Sequence, residues 1–480
     1  MEEMIRTGEK YLNDLRDGRT IFINGEKITN HVDHPAFKNA IRSVANLYDY
    51  KVAHADTMTF KTETGDQMSL YWQLPSTPEK LIARGHAAYE WAKQTMGWLG
   101  RSPDYVASAL TGMMTHIELF ESYSQERADA LRNYFSYVSE NDLYLAYALI
   151  NPQGDRSKTP GEHTKNLYHT LGVVEKNAKG IVVRGTKMLA TGAVLADEVL
   201  VGSHKPLKQG IDERYALSFA LPLNTKGIKI LSRKSYESGV NPKDYPISSR
   251  FDETDSMIYF DDVLVPWERV FVLEDIEMVV DQLRLTVSEA MMDIQSLARY
   301  AVKLHFLAGL AQSMVEVNGV AQIPAVKESL GQLACYAMHV ETLFNSALHC
   351  PKFHNGFYLP DKTQLDTYRV ISQSTYPKVL EIIRKLAGGG VLMLPSSEAD
   401  LENEEILNII EKAQYSSIVS PVERVRMMKL VWDVIGSEFA SRHHQYELFY
   451  AGAAYQTLGR LYNQYDWGAS RELVEKIKTL

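Results

Sequence analysis

The most constraining feature of this chain is a run of apolar residues at helical spacing. It starts at Val287 and passes through Met291, Ile294, Leu297, Ala301, Leu304, Ala308 and Ala311, with no proline and no glycine before Gly309. Steps of three and four residues put these side chains on one stripe of an α-helix. A helix of this length seldom stands alone, because its stripe needs comparable helices to bury it. The stretches "AVKESLGQLACYAMHVETLFNSALH", "QLDTYRVISQSTYPKVLEIIRKLAGGG" and "PVERVRMMKLVWDVIGSEFASRHHQ" carry the same period. Together they predict a C-terminal four-helix bundle.

Upstream the texture is different. Up to about residue 140 the pattern is helical, as in "PEKLIARGHAAYEWAKQTMG" and "SQERADALRNYFSYVSEND", where Leu131, Tyr134 and Val138 share a face. Then come β-branched and aromatic runs punctuated by Gly, Pro, Asn and Asp: "LYLAYALINP", "KGIVVRGTKMLATGA", "DEVLVGS", "RYALSFALPL", "KGIKILS" and "SMIYFDDVLV". The order predicts an α+β protein of segregated elements. A helical domain is expected over residues 1–140, a compact β domain over 141–272, and a helical bundle with the oligomer contacts over 273–480.

Composition narrows the partners. With 51 basic and 60 acidic residues the net charge is −9, which argues against nucleic acid or an anionic membrane surface and leaves small molecules. Two cysteines, Cys335 and Cys350, form neither a disulfide framework nor a zinc spacing, as expected of a cytoplasmic protein. The beginning "MEEMIRTGEKYL" lacks the apolar core of a signal peptide, and no apolar run is long enough to span a membrane.

Function must therefore be sought in sites, since this layout hosts many chemistries. No P-loop, HExxH, GxSxG or GxGxxG after a strand is present, and no metal is expected. Gly388, Gly389 and Gly390 follow a helical run and read first as a helix cap, with close approach of a ligand as the other reading. The adjacent His443 and His444 point about 100° apart on a helix and read as a solvated face rather than a metal site. In "NPQGDRSK", Pro152 ends a strand, Gly154 and Asp155 make a bend, and Gln153 and Arg156 project an amide and a cation suited to a polar ring or pyrophosphate. Thr191 and Gly192 lie between two strands, where a hydroxyl and bare backbone can face a ligand. In "GWLGRSPDYVAS", Arg101 and Tyr105 flank the start of a helix expected after Pro103, and there they converge on one small anionic or phenolic group, or else Arg101 pairs with Asp104.

The segments "GRSPDY", "NPQGDR", "KMLATGA" with "DEVLV", "PISSRFDETDSMIYFDDVLVPWERVF", "AGGGVLMLPSSEADL" and "FYAGAAY" resemble, in order and spacing, the oxygenase component of two-component 4-hydroxyphenylacetate 3-monooxygenase. The resemblance spans essentially the whole chain. It implies an acyl-CoA dehydrogenase-like fold, with an N-terminal helical domain, a central β domain and a C-terminal bundle that builds a homotetramer. It also implies use of FADH2 (reduced FAD) from a separate NAD(P)H-dependent flavin reductase, with O2 as cosubstrate, to hydroxylate a phenol at its ortho position. On that basis Arg101 and Tyr105 correspond to the substrate-holding pair. Gln153, Gly154, Asp155 and Arg156 correspond to a flavin-binding turn, Ala190, Thr191 and Gly192 to the loop beside the flavin ring, and Tyr450, Ala451, Gly452 and Ala453 to a C-terminal flavin contact. Ser203 and His204 fall where a substrate loop lies.

One departure concerns the base. The family's strand before "NPQ" usually carries a histidine that helps deprotonate the phenol, whereas this chain has Tyr147 there. A phenol with a pKa near 10 is a poor base at neutral pH. The departure opens two alternatives, a non-standard aromatic or N-oxygenation on the same scaffold, and a non-catalytic flavin or aromatic binder. His163, His169 and His204 are further basic groups, read as loop residues. A dehydratase relative with an iron–sulfur cluster is set aside, because Arg101 and Tyr105 stand where it has cysteines. An acyl-CoA dehydrogenase proper is set aside for want of a prominent glutamate.

Overall fold

A computed structural model describes residues 5–203 and 206–478. At its centre runs the helix Ser288–Val317, and apart from Glu289 every residue from Ser288 to Leu304 is buried. The apolar stripe therefore occupies only part of a surface that is covered all round. The helices Pro78–Gln94, Asp104–Met114, Pro324–His349, Lys362–Ala387 and Pro421–Ile435 pack around it. Four of its buried polar residues are held by partners from other helices or loops. Asp293 meets Arg369, Gln295 meets Ser102, and Arg299 and Lys303 share Glu447.

The stretch from Pro421 to the histidines, which reads as a single helix, is two. Gly436 ends Pro421–Ile435, the Trp432 ring sits where a Gly436 Cβ would be, and Ser437 caps Glu438–Phe449 by accepting from the Ala440 N–H. The break turns the second helix so that Arg442, His443, Tyr446 and Glu447 reach inward. At Gly388 (φ +55) the helix Lys362–Ala387 closes in the left-handed region, as the cap reading requires.

All six expected strands form. They belong to two sheets, of which the larger has the order 26–28, 21–23, 228–232, 256–266, 180–187, 172–177 and the smaller 270–273, 217–222, 198–201, 145–148. Alternate residues of Gly180–Lys187 are buried, as expected of a strand with one face on a core. Phe219 of the smaller sheet and Phe260 of the larger meet edge to face at 5.9 Å, closing the sandwich. Two strands, Ile21–Ile23 and Glu26–Ile28, come from the N-terminal segment, and Ile21 pairs in parallel with Ile230. The large sheet thus reaches across the division expected at residue 140. Among the described residues no helix is long and apolar enough to cross a membrane.

Candidate functional site

The loop before Asp104–Met114 is held by its backbone. Glu253 Oε2 accepts from the N–H groups of both Gly100 and Arg101 at 2.8 Å, and its Oε1 accepts from Arg442 Nη1 at 2.7 Å. From the other side the Tyr144 hydroxyl donates to the Arg101 carbonyl. A Cβ at Gly100 would fall 2.5 Å from the Tyr446 hydroxyl, so only glycine admits this packing. Gly192 (φ +77) lies against the same clamp, where a Cβ would sit 2.6 Å from the Tyr144 hydroxyl.

Because the backbone carries the clamp, the Arg101 side chain is left for other work. Its guanidinium stacks 3.8 Å from the Tyr105 ring centroid, with Tyr446 at 5.3 Å and Tyr450 at 5.6 Å. Burial lowers its pKa, but Tyr105, Tyr446 and Glu253 outweigh that, so it stays charged. Among the described residues Arg101 Nη1, the Tyr147 hydroxyl and the Tyr446 hydroxyl are buried without a hydrogen-bond partner. Bare buried donors are costly, so two hydroxyls beside a buried cation whose own Nη1 is also bare suit an oxygen-bearing ligand. Burial, with Tyr105 and Glu289 adding to it, raises the Tyr147 pKa well above the ordinary 10. Tyr147 is therefore a donor here and a worse base than free tyrosine.

A pocket of about 480 Å³ opens nearby, lined by Ser203, Leu283, Glu289, Lys362 and Arg460 among others. Behind Tyr105 lies a charged cluster. Arg369 Nε donates to Asp293 at 2.7 Å, its Nη1 donates to Glu289 at 3.2 Å, and Asp366 accepts from Arg460 at 2.6 Å. Burial, with Glu289 and Asp366 adding to it against the pull of Arg369, raises Asp293 to about 7.

The residues expected at the site divide into groups. Arg101, Tyr105 and Tyr450 come together, and the Ala190–Gly192 loop adjoins them. The Thr191 hydroxyl donates to Asp255 at 2.7 Å instead of standing free, and the Gly192 N–H donates to the carbonyls of Glu253 and Thr254. Gly452 (φ +83) turns the chain after Tyr450, and its carbonyl accepts from Gln373 at 2.7 Å, with Ala451 and Ala453 half-buried on either side. Gln153, Gly154, Asp155 and Arg156 are all exposed. Asp155 closes the bend by accepting from the Ser157 N–H and hydroxyl, while Gly154 has no positive φ and a Cβ there would meet nothing within 4 Å. The bend is thus fixed by Asp155 and not by glycine. Ser203 is buried and donates to the Tyr215 carbonyl at 2.7 Å, whereas His204 lies outside the described residues. Arg101 makes no ion pair with Asp104, which accepts from Ser102 and Gln295 instead.

His443 corrects an expectation. It is buried, not solvated, edge-on to Trp98 at 4.8 Å, and burial beside Lys303 holds its pKa well below the usual 6.5. Sequence reasoning also missed Tyr446, Glu253, Glu289 and Asp293. For Tyr446 a signal existed, since it lies four residues before Tyr450 and stacks on it at 5.2 Å.

Comparison with known proteins agrees with this arrangement. The family described as 4-hydroxyphenylacetate 3-hydroxylase N terminal matches residues 7–272, and its C-terminal counterpart matches 281–479. The chain is 35% identical over 464 residues to the 4-hydroxyphenylacetate 3-monooxygenase oxygenase component of Escherichia coli, covering 93% of this chain and 86% of that protein. It is 33% identical over 456 residues to the oxygenase component of 4-nitrophenol 2-monooxygenase from a Rhodococcus species, covering 93% and 86%. A crystal structure of the oxygenase component of 4-hydroxyphenylacetate 3-monooxygenase, complexed with FAD and 4-hydroxyphenylacetate, superposes with a TM-score of 0.92 at 33% identity, covering 98% of each chain. An archaeal 4-hydroxybutyryl-CoA dehydratase shares the fold at TM-score 0.88 and 20% identity. With both halves matched over nearly its full length, this chain belongs to the 4-hydroxyphenylacetate 3-hydroxylase family.

Proposed function

We propose that this protein is the oxygenase half of a two-component, FAD-dependent aromatic monooxygenase, and that it hydroxylates a small phenol next to its hydroxyl group with O2. The observation that carries the reading is the set of bare donors around Arg101: Arg101 Nη1 with the hydroxyls of Tyr147 and Tyr446. They suit a phenolic oxygen and stabilise it as phenolate, which makes the ring electron-rich. Tyr105 stacks on the guanidinium and presents a further hydroxyl.

The chain also fits a flavin. The exposed turn Gln153–Arg156, the Ala190–Gly192 backbone and the turn at Tyr450–Ala453 offer amide groups, a cation and close-approach backbone from three directions. When bound, reduced FAD supplies the activation of O2. The chain's own part is to bind and orient the phenol, hold its oxygen as an anion and keep water away. Ser203 lines the pocket and holds the substrate's far end, with His204 as its neighbour in sequence.

A separate NAD(P)H-dependent flavin reductase supplies the FADH2. Self-association into a tetramer belongs to the same reading and is supported by exposed apolar side chains on the last helices, among them Tyr455 and Leu473. A cytoplasmic location and a division into three domains near residues 140 and 272 complete it. The test is to combine the protein with FAD, a flavin reductase, NADH and a panel of phenols and anilines, and to follow product mass. A gain of one oxygen on a phenol with a catechol product is expected. Products only from anilines, or none, would refute it.

A further inference from the structure

The strand Gly180–Lys187 ends on a residue foreign to a core. Ile181, Val183 and Lys187 share its buried face, and Lys187 is 0% exposed. Among the described residues no carboxylate pairs with it, and burial alone lowers its pKa to about 7. A lysine is almost never fully buried unless paired, because an ammonium taken out of water without a counter-charge is costly. An apolar side chain of similar volume would avoid that cost, so packing by itself gives no reason for the cation.

Its contacts give one. From the larger sheet the ammonium reaches the ends of two strands of the smaller sheet, Leu145–Ala148 and Glu198–Val201, which lie side by side in parallel. Lys187 Nζ donates to Asn151 Oδ1 at 2.7 Å, to the Leu149 carbonyl at 3.3 Å and to the Ser203 hydroxyl at 3.4 Å. Its three protons thus face three neutral oxygens. Asn151 stands two residues before the turn Gln153–Arg156, and Ser203 lines the pocket. The Ser203 hydroxyl donates in turn to the Tyr215 carbonyl at 2.7 Å, so it is fixed from two sides.

We infer that Lys187 is a positioning residue: by holding Asn151 and Ser203 on one ammonium, it sets the spacing between the turn that receives the flavin and the serine that meets the substrate. This rests on the reading that the flavin lies at Gln153–Arg156 and the substrate at Ser203. Charge-assisted hydrogen bonds in a dry interior hold their acceptors more firmly than neutral ones. Two ligands that must react need such a fixed spacing, since a misplacement of about 1 Å costs about 10²-fold in rate.

The same two segments meet again farther along the chain. Asp212 is buried and accepts from the Gly161 N–H and the Lys208 N–H, both at 2.7 Å. A Cβ at Gly161 would fall 2.5 Å from the Ile211 carbonyl oxygen, so the segments are closely packed there. Backbone pairing also continues beside the lysine, where the Met188 N–H donates to the Ile150 carbonyl at 2.8 Å. The fold is therefore carried without the ammonium, and removing it frees the roots of the two segments while their outer parts stay joined.

The test compares the wild type with Lys187→Met, Lys187→Gln, Ser203→Ala and the double variant Lys187→Met/Ser203→Ala. The readouts are the thermal midpoint of the protein without FAD, the FAD dissociation constant from flavin fluorescence, and, with a flavin reductase, KM and product formed per NADH for a phenol. Lys187→Met should unfold at the wild-type temperature or above it, because a desolvated charge is gone. Its KM and its FAD dissociation constant should each rise about tenfold, as loss of hydrogen bonds from a charged group implies. Product per NADH should fall, because reduced flavin then reacts with O2 to give FAD and H2O2. Lys187→Gln keeps a donor and should recover part of both constants. Ser203→Ala should raise KM alone, and the double variant should have a KM no worse than Lys187→Met, because both changes break one contact. A lower thermal midpoint in both Lys187 variants would make the lysine structural and overturn the inference. So would unchanged constants, a rise in only one of them, or additive KM losses in the double variant. If the wild type hydroxylated no phenol, the functional reading would fail, while an FAD dissociation constant unchanged in Lys187→Met would overturn the positioning role by itself.

Discussion

Replacing Arg101 by glutamine tests the core of this reading, and its magnitude follows from where Arg101 sits. The guanidinium is sandwiched against the Tyr105 and Tyr446 rings, so an effective dielectric constant of about 20 applies. At about 4 Å a full charge then stabilises a phenolate by about 4 kcal/mol. Dividing by 1.36 kcal/mol per unit gives about 3 pKa units, which brings a phenol from about 10 to about 7. Arg101→Gln keeps one donor and removes the charge. The ionised fraction at neutral pH should fall, and kcat/KM with it, by about 10³-fold. Stability should hardly change, because the clamp on this loop grips the backbone through Glu253 and Tyr144, and the guanidinium makes no hydrogen bond or ion pair among the described residues. Arg101→Lys should recover only part of the rate, since a point charge lacks the flat stack on Tyr105. The assays are the reductase-coupled pH profile and the thermal midpoint of each variant. A fall in kcat/KM of less than about tenfold in Arg101→Gln, corresponding to only about 1.4 kcal/mol, would refute the argument.

Three other perturbations have defined outcomes. Gly192→Ala forces a φ of +77 on a residue with a Cβ and pushes that atom onto the Tyr144 hydroxyl. Backbone strain alone costs about 1–2 kcal/mol, so a lower urea midpoint together with a raised KM is expected. Glu447→Gln leaves Arg299 and Lys303 buried without their carboxylate and should cost about 3–5 kcal/mol, read from denaturant unfolding. Arg299 and Lys303 hold Glu447 at about 2 against an ordinary 4.5, despite burial pushing the other way, so its stabilisation is complete above about 4.5 and is lost as pH falls toward 2. An acid-unfolding midpoint unchanged in Glu447→Gln would contradict this. Tyr147→His puts an imidazole where a high-pKa phenol now stands, and should raise turnover of simple phenols at neutral pH. An unchanged or lower rate would count against the role given to that position.

The sequence by itself settled the kinds of element and their order. The β-branched and aromatic runs became the six expected strands, and the uninterrupted run from Val287 became the central helix, because local composition and spacing already favour these elements. It also marked Arg101, Tyr105 and Tyr450, through segments whose local order is distinctive. It did not mark the groups that make those residues work. Glu253 reaches Arg101 across 152 residues and Glu447 reaches Arg299 across 148, and no local pattern records such pairings. Arg299 and Lys303 lie off the apolar stripe of their helix, and only enclosure on every side turned them, with Asp293, into buried charges that require partners. The same enclosure buried His443 and raised Asp293 to about 7. Those states depend on desolvation and on which charges lie close in space, and tertiary packing alone decides both.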